Sequence, residues 1–265
     1  MSIELTLRPE VRGPLSVYGV EHMRHFGIDA FVTDRFGGVS VAPYDTLNLA
    51  EHVGDQPEHV RENRRRVVDA IGVDPQDFVT SSQVHGNTVI DVDATLRATE
   101  GDALVTSQSG VALVVLVADC VPVLLVDEST SRFGVVHAGW RGLVAGVLAS
   151  TLAHFEDPSA VHAFIGPYIS REAYQVGPEV AGHFAGTPGS LYDDVGDRSR
   201  LDLRRVVEVQ LDELGLLEGH VTCARQSTDG GEVFFSDRAQ RPCGRFGLVA
   251  KRSSYYESHM DEDPA

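Results

Sequence analysis

Cysteine is scarce in this chain, tryptophan scarcer, and basic residues are outnumbered by acidic ones. The 265 residues include three cysteines, one tryptophan, 22 Lys and Arg against 39 Asp and Glu, and a formal net charge of −17. An odd, sparse cysteine count provides no disulfide framework and suits a reducing compartment, so a cytoplasmic location is expected. The acidic balance argues against a general nucleic-acid binder, because phosphate backbones are held by clustered Lys and Arg and a negative field repels them. A small anionic substrate stays open if a few arginines share one cleft. Long apolar runs are also missing. The most apolar stretch, residues 111–127, is interrupted by Asp119 and Pro122 and falls short of the roughly 20 residues of a spanning helix, so no membrane partner is expected. No basic segment leads into an apolar one at the N-terminus, and no signal peptide is expected. There is no internal repeat and no low-complexity block. The glycine-rich Arg35-Phe36-Gly37-Gly38-Val39-Ser40 matches neither a P-loop nor a dinucleotide fingerprint.

What is present is a soluble, globular composition, 42% hydrophobic and 23% charged. Residues 30–36 read as a strand closed by the Gly37-Gly38 turn. Residues 57–71 read as a helix: Pro57 in its first turn, Val60, Val67, Val68 and Ile71 on one face, Gly72 as the stop. Short strands are expected over 78–83 and 88–92, with His85-Gly86-Asn87 between them. Residues 111–117, 121–126 and 133–137 are rich in β-branched side chains and predict central strands. Apolar spacing predicts helices over 142–155 and 203–214, and strands over 161–165 and 244–251. The acidic end, from Glu257, is expected to be disordered. The expectation is one compact α+β domain with layered mixed sheets flanked by helices, over residues 26–252, between an N-terminal segment (1–25) and an acidic tail (253–265). A monomer or weak homo-oligomer is expected.

Three soft ligands stand at the ends of apolar runs: His85 in Gln-Val-His-Gly, Cys120 in Ala-Asp-Cys-Val-Pro, and His137 in Val-His-Ala-Gly-Trp-Arg-Gly. Small or turn residues follow each of them and leave room for a ligand. Two imidazoles and a thiolate suit Zn²⁺, and three protein ligands leave a position open, as catalytic sites do. The 35- and 17-residue separations match no short zinc motif. The same residues permit a second reading without metal. Cys120 would be a thiolate nucleophile and His137 its base, with Asp119 or Gln83 as an orienting or oxyanion group. A deprotonated thiol serves both readings.

Anion and base recognition have their own candidates. Arg35, Ser40 and the backbone N–H groups of the glycine turn form one anion-holding set. Arg64, in the dense run Arg61–Arg66, forms another with Ser40 and Asn48. Trp140-Arg141-Gly142 opens a helix, where N–H groups favour anions, and Trp140 offers a surface for stacking a nucleobase.

At these residues the chain resembles the YfiH-like family, also called the DUF152, laccase-domain or polyphenol-oxidase family. The carrying motifs are Gly37-Gly38-Val39-Ser40, Asn48-Leu49, Asn63-Arg64, Gln83 to Gly86, Asp102 to Thr106, Ala118-Asp119-Cys120-Val121-Pro122-Val123, His137-Ala138-Gly139-Trp140-Arg141-Gly142, Ile165-Gly166-Pro167, Phe234-Phe235-Ser236 and Gly244-Arg245. They run in order over about residues 30–250. The resemblance implies a mononuclear zinc site at His85, Cys120 and His137. It also implies purine nucleoside chemistry: phosphorolysis of adenosine, inosine, guanosine or methylthioadenosine, and deamination of adenosine. The partners would then be a nucleoside and phosphate, and in that implied chemistry Gln83 is a candidate to bond ribose or base and Asp119 to accept or relay a proton. A copper polyphenol-oxidase label and a role in editing peptidoglycan precursors attach to the same family; the chain lacks the His-x-His pairs that multi-copper oxidation of phenols would use. The fold implied is layered mixed α/β, related to a toxin-type cysteine hydrolase. Three positions depart from the pattern. Tyr168 stands where Cys is frequent, and Ser227-Thr228 where Cys-Thr is frequent. Asp237-Arg238-Ala239 replaces Tyr-Arg-Arg, which leaves the late arginines without an assigned role.

Overall fold

The structure is a computed structural model that describes residues 2–93 and 100–253; the acidic end beyond Ser253 lies outside the described residues. Two mixed β-sheets stack face to face and helices cover their outer faces. The six-stranded sheet runs, edge to edge, Arg8–Arg12, Leu15–Gly19, Ile28–Thr33, Phe246–Arg252, Ala112–Val117, Phe78–Val79. The seven-stranded sheet runs Ile3–Leu5, Val221–Ala224, Val161–Ile165, Val121–Asp127, Phe133–Ala138, Ala103–Thr106, Val89–Asp91. A small three-stranded sheet (Gln175–Val176, Ser199–Leu201, Leu191–Asp193) sits beside the short helix Pro178–Ala181.

The sequence pattern explains the layering. Strands Ala112–Val117, Val121–Asp127 and Phe133–Ala138 are buried along their whole length, so their apolar runs do not alternate with polar residues. Their two faces feed two different cores. Leu113, Val115, Leu124, Val126, Phe133 and Val135 meet between the sheets. Val121, Val123, Leu125 and Val136 pack outward against Leu143, Val147, Leu148, Val206, Val207 and Leu211 of the helices. Ala112, Val114 and Leu116 pack with Val67 and Ile71 of helix Pro57–Ile71 on the opposite side. Each buried Val, Leu or Ile contributes about 1.5–3 kcal/mol against exposure.

Two expected elements differ. The helix expected over 142–155 is two short helices, Trp140–Ala145 and Val147–Leu152, because Gly146 between them adopts φ 82° in the left-handed region. Helical spacing survives across the break, so periodicity alone does not reveal it. The strand expected over 78–83 pairs only at Phe78–Val79, with a single bridge at Ser82. The N-terminal segment also joins both sheets. Ile3–Leu5 pairs parallel to Val221–Ala224, and Arg8–Arg12 and Leu15–Gly19 extend the six-stranded sheet, so no break in the sheets falls at residue 26.

One connection positions the site. After Val117 the chain leaves the six-stranded sheet and enters the seven-stranded one at Val121, so Ala118, Asp119 and Cys120 cross between the layers. Asp119 makes the corner with φ 87°, a conformation unusual for any residue but glycine.

Candidate metal centre and its cleft

Cys120 and His137 become neighbours through sheet register. His137 pairs with Pro122 across antiparallel strands, which sets its imidazole beside the crossover that carries Cys120. His85 arrives from a loop with φ 61° at its own position. The ligand atoms of His85, Cys120 and His137 lie within 4.8 Å of one another, and Cys120 Sγ stands 3.8 Å from His85 Nε2. His137 is buried, Cys120 half-buried and His85 exposed, so the group opens to one side. Two imidazoles and a thiol at this separation, open on one face, fit a borderline-soft cation with a free coordination position.

Asp102, missed by reasoning from residue type and spacing, holds this group together. Its fully buried carboxylate accepts the N–H groups of Val84 (3.2 Å), His85 (2.9 Å) and Gly86 (2.7 Å), and lies 2.8 Å from His137 Nδ1. One anion therefore fixes the His85 loop and turns the other nitrogen of His137 toward Cys120, as a carboxylate behind a metal-binding imidazole does. Burial alone would raise the Asp102 pKa, but the bonds from His137, Gly86 and Val84 hold it below its ordinary value. Apart from opening the family motif Asp102 to Thr106, its sequence signal is an acidic residue immediately before an apolar strand.

In the metal-free protein, burial works against charge at Cys120, yet His137 and His85 bring the thiol down to about 6. Burial likewise opposes charge on His137, while Cys120 and Asp102 raise its imidazole to about 9. Each group thus favours the charged form of the other, and a metal held here would take Cys120 as thiolate and His137 as neutral imidazole.

Gly139 lets the two side chains approach. A Cβ at this position would lie 2.8 Å from His85 Cδ2 and 3.0 Å from Cys120 Sγ. Its own backbone is extended, with φ −77° and ψ 163°, so alanine there suffers no backbone strain. Gly139→Ala is therefore expected to keep its fold and lose zinc affinity by about tenfold or more, because displaced ligands bind poorly. Competition with a chromophoric chelator measures this, and an unchanged affinity refutes the steric argument.

The group forms the floor of a cleft of about 420 Å³ lined also by His52, Gln83, Asp119, Trp140, Arg141, Tyr174, Asp237, Arg238, Arg241 and Arg245. Four arginines thus face it in a strongly acidic protein. Two of them lie on aromatic rings: Arg141 is 4.3 Å from the Trp140 centroid and Arg238 5.2 Å from that of Tyr174. His52 is lowered by burial and then by Arg245, Arg64 and His85, a sign of concentrated positive charge at this end.

Several expected site residues have other work. Gln83 lines the cleft, but its amide donates to Leu116 O (2.7 Å) and accepts from Leu116 N (2.8 Å), leaving its strongest groups committed to the backbone. Asp119, expected to move a proton, instead accepts Thr228 Oγ1–H (2.6 Å) and Arg238 N–H (2.7 Å), one on each oxygen. It ties the crossover to the late loop. Ser40 and Asn48 are buried away from the cleft lining. Ser40 donates to Asp55 and accepts from Asn63; Asn48 donates to Asp55 and accepts the N–H of Arg245 at 2.9 Å. They support the backbone of a cleft arginine. Arg35 is spent on Asp45 and the Gly231 carbonyl, over the Phe235 ring. Arg64 bonds Leu49 O and Glu51 and stands behind His52, outside the lining. The arginines that line the cleft are Arg141, Arg238, Arg241 and Arg245, of which only Arg141 was expected from sequence.

Fold and site together define a layered α+β protein with an open His₂Cys group, the one such group among the described residues, at the base of an arginine-lined cleft. The family model described as "Multi-copper polyphenol oxidoreductase laccase" matches residues 29–252, and the chain belongs to that family. A Corynebacterium glutamicum protein named purine nucleoside phosphorylase is 40% identical over 224 residues, covering 80% of this chain and 89% of that one. Purine nucleoside phosphorylase YfiH of Shigella flexneri is 37% identical over 226 residues, covering 83% and 91%. The crystal structure of YlmD from Geobacillus stearothermophilus superposes with a TM-score of 0.85 at 30% identity, covering 94% of this chain and 99% of that one. Among the described residues no helix is long and apolar enough to cross a membrane.

Proposed function

We propose that the protein is a zinc-dependent purine nucleoside phosphorylase that also deaminates adenosine. The observation that carries the reading is the cleft itself: an open His₂Cys group, guanidinium-backed aromatic faces and arginines converge on one cavity. The names of the relatives supply the substrate class. His85, Cys120 and His137 would hold the zinc, which when bound supplies Lewis acidity and a water activated near neutral pH.

The remaining work falls to the chain. Trp140 and Tyr174, each with a guanidinium over one ring face (Arg141 and Arg238), offer a purine flat surfaces to pack against. Arg241 and Arg245 draw phosphate to the ribose side. In phosphorolysis a phosphate oxygen forms the bond to the anomeric carbon while the carbon–nitrogen bond to the purine breaks. The purine leaves with that electron pair and takes up a proton, giving ribose 1-phosphate. Arginines that neutralise the phosphate's charge allow it to approach the anomeric carbon while negative charge builds on the departing purine. Asp102 and Asp119 are positioning residues in this reading, one for the imidazoles and one for the loop that carries Arg238. A copper enzyme with several centres fits less well, because the described residues hold one such ligand group.

The test separates products after incubation of zinc-loaded protein with adenosine or inosine, with and without inorganic phosphate. Purine release is expected only with phosphate, in equal amount to ribose 1-phosphate; inosine is expected from adenosine in either case. Purine release indifferent to phosphate would sink phosphorolysis, and no inosine would sink deamination.

A further inference from the structure

We propose that Asp237 determines the anion specificity of the cleft. Its carboxylate fills the anion position between Arg241 and Arg245, and phosphate binds there by exchanging with it. The proposal rests on reading the cleft as a phosphate-using site.

Asp237 presents one oxygen to each arginine: Oδ2 accepts from Arg241 Nη2, and Oδ1 accepts from Arg245 Nη2 at 3.3 Å. Two oxygens on one centre, each facing a different guanidinium, is how a phosphate would also engage the pair. Arg245 is otherwise committed. Its Nη1 reaches the carbonyls of Cys243 (3.1 Å) and Gly244 (3.0 Å), and its backbone N–H is held by Asn48. The guanidinium is therefore fixed in place, and Asp237 is the carboxylate on its free edge. The other carboxylate in the lining, Asp119, is engaged by Thr228 and the Arg238 backbone. Arg141 and Arg238 lie over rings and make no ion pair among the described residues. Asp237 is thus the group that neutralises cleft arginines when no anion is present.

The exchange has two effects. An incoming anion must outcompete a carboxylate already in place, which a dianion with more oxygens does better than a monoanion. Asp237 also stands ready to refill the fork, so the anion leaves readily. The exposed Arg241 makes its half of the fork modest in strength, while the Asp237–Arg245 half is more covered, so exchange opens from the Arg241 side.

Calorimetric titration of inorganic phosphate into the zinc-loaded full chain tests this, using the wild type, Asp237→Asn, Asp237→Ala and Arg245→Ala. Both Asp237 variants are expected to bind phosphate about three- to tenfold more tightly, and Arg245→Ala more weakly. Asparagine keeps the shape and a weak acceptor, and alanine removes both, so agreement between them isolates the charge. Equal or weaker phosphate binding by both Asp237 variants, with far-UV circular dichroism unchanged, overturns the proposal. In turnover, KM for phosphate should fall in proportion. Tighter phosphate binding by the variants with no phosphorolysis by any form would sink the proposed function and leave the role of Asp237 standing.

Discussion

Cys120→Ala is expected to leave a folded protein that holds no zinc at micromolar concentrations and turns over nucleosides at least about a hundredfold more slowly. The thiolate is the one anionic ligand of the group, and without it His85 and His137 are a pair of neutral donors, one of them on an exposed loop. The fold survives because Cys120 lies on a crossover whose position is set elsewhere. Asp119 anchors it to Thr228 and Arg238, and the backbone of Pro122 and Val123 is paired on both sides in the sheet. Removing the thiol also removes the strongest influence that raises the His137 imidazole, so its pKa should fall. Metal analysis after dialysis, cobalt substitution followed by its thiolate charge-transfer absorption, and product analysis together check the result. Wild-type turnover by the alanine variant, with zinc absent, would exclude this group from the chemistry. Loss of turnover with zinc retained would move the weight to the covalent thiol reading.

Asp102→Asn carries the second large effect. The carboxylate accepts four N–H donors, and an amide offers one acceptor oxygen while adding two donors of its own. At least one backbone N–H would then face an NH₂ group in a fully buried setting, at a cost of about 1–3 kcal/mol. The one acceptor oxygen can keep either the His85 and His137 N–H groups or those of Val84 and Gly86, so the His85 loop and His137 are no longer fixed by a single group. Zinc affinity should fall about 10- to 100-fold, the usual penalty for losing a carboxylate behind a metal-binding histidine. The affinity is measured well below the melting temperature, so that it reports on folded protein, and a separate thermal melt records the stability loss. A melt that drops while zinc affinity stays put would make Asp102 a packing residue only.

The grouping of His85, Cys120 and His137 was legible from residue type, since two imidazoles and a thiol are rare among apolar runs, although His85 stands on a loop and not at a strand end. The layered α+β fold was legible for another reason: fully apolar strands with no alternation must be covered on both faces. Composition spoke against a membrane span and a nucleic-acid role through charge and run length alone. The arginine set could not be read in this way. The run Arg61–Arg66 is denser, yet the helix turns it onto local acids: Arg65 and Arg66 pair with Glu62, and Arg61 with Glu58. The scattered Arg238, Arg241 and Arg245 sit on a loop and strand entry that the buried Asn48 network places over Cys120.

By itself, then, the sequence determined the periods of its elements, the apolar faces that must be buried and the chemical types able to hold a soft cation. Those are local properties, set by side-chain size, polarity and spacing along one chain. Tertiary structure decided which polar groups are spent inside and which remain free. Ser40, Asn48, Gln83 and Asp119 are as polar as any ligand-binding residue, but buried donors and acceptors must find partners, and theirs are within the protein. Asp102 gained its role for the same reason, because only the packed fold brings four N–H groups to one carboxylate.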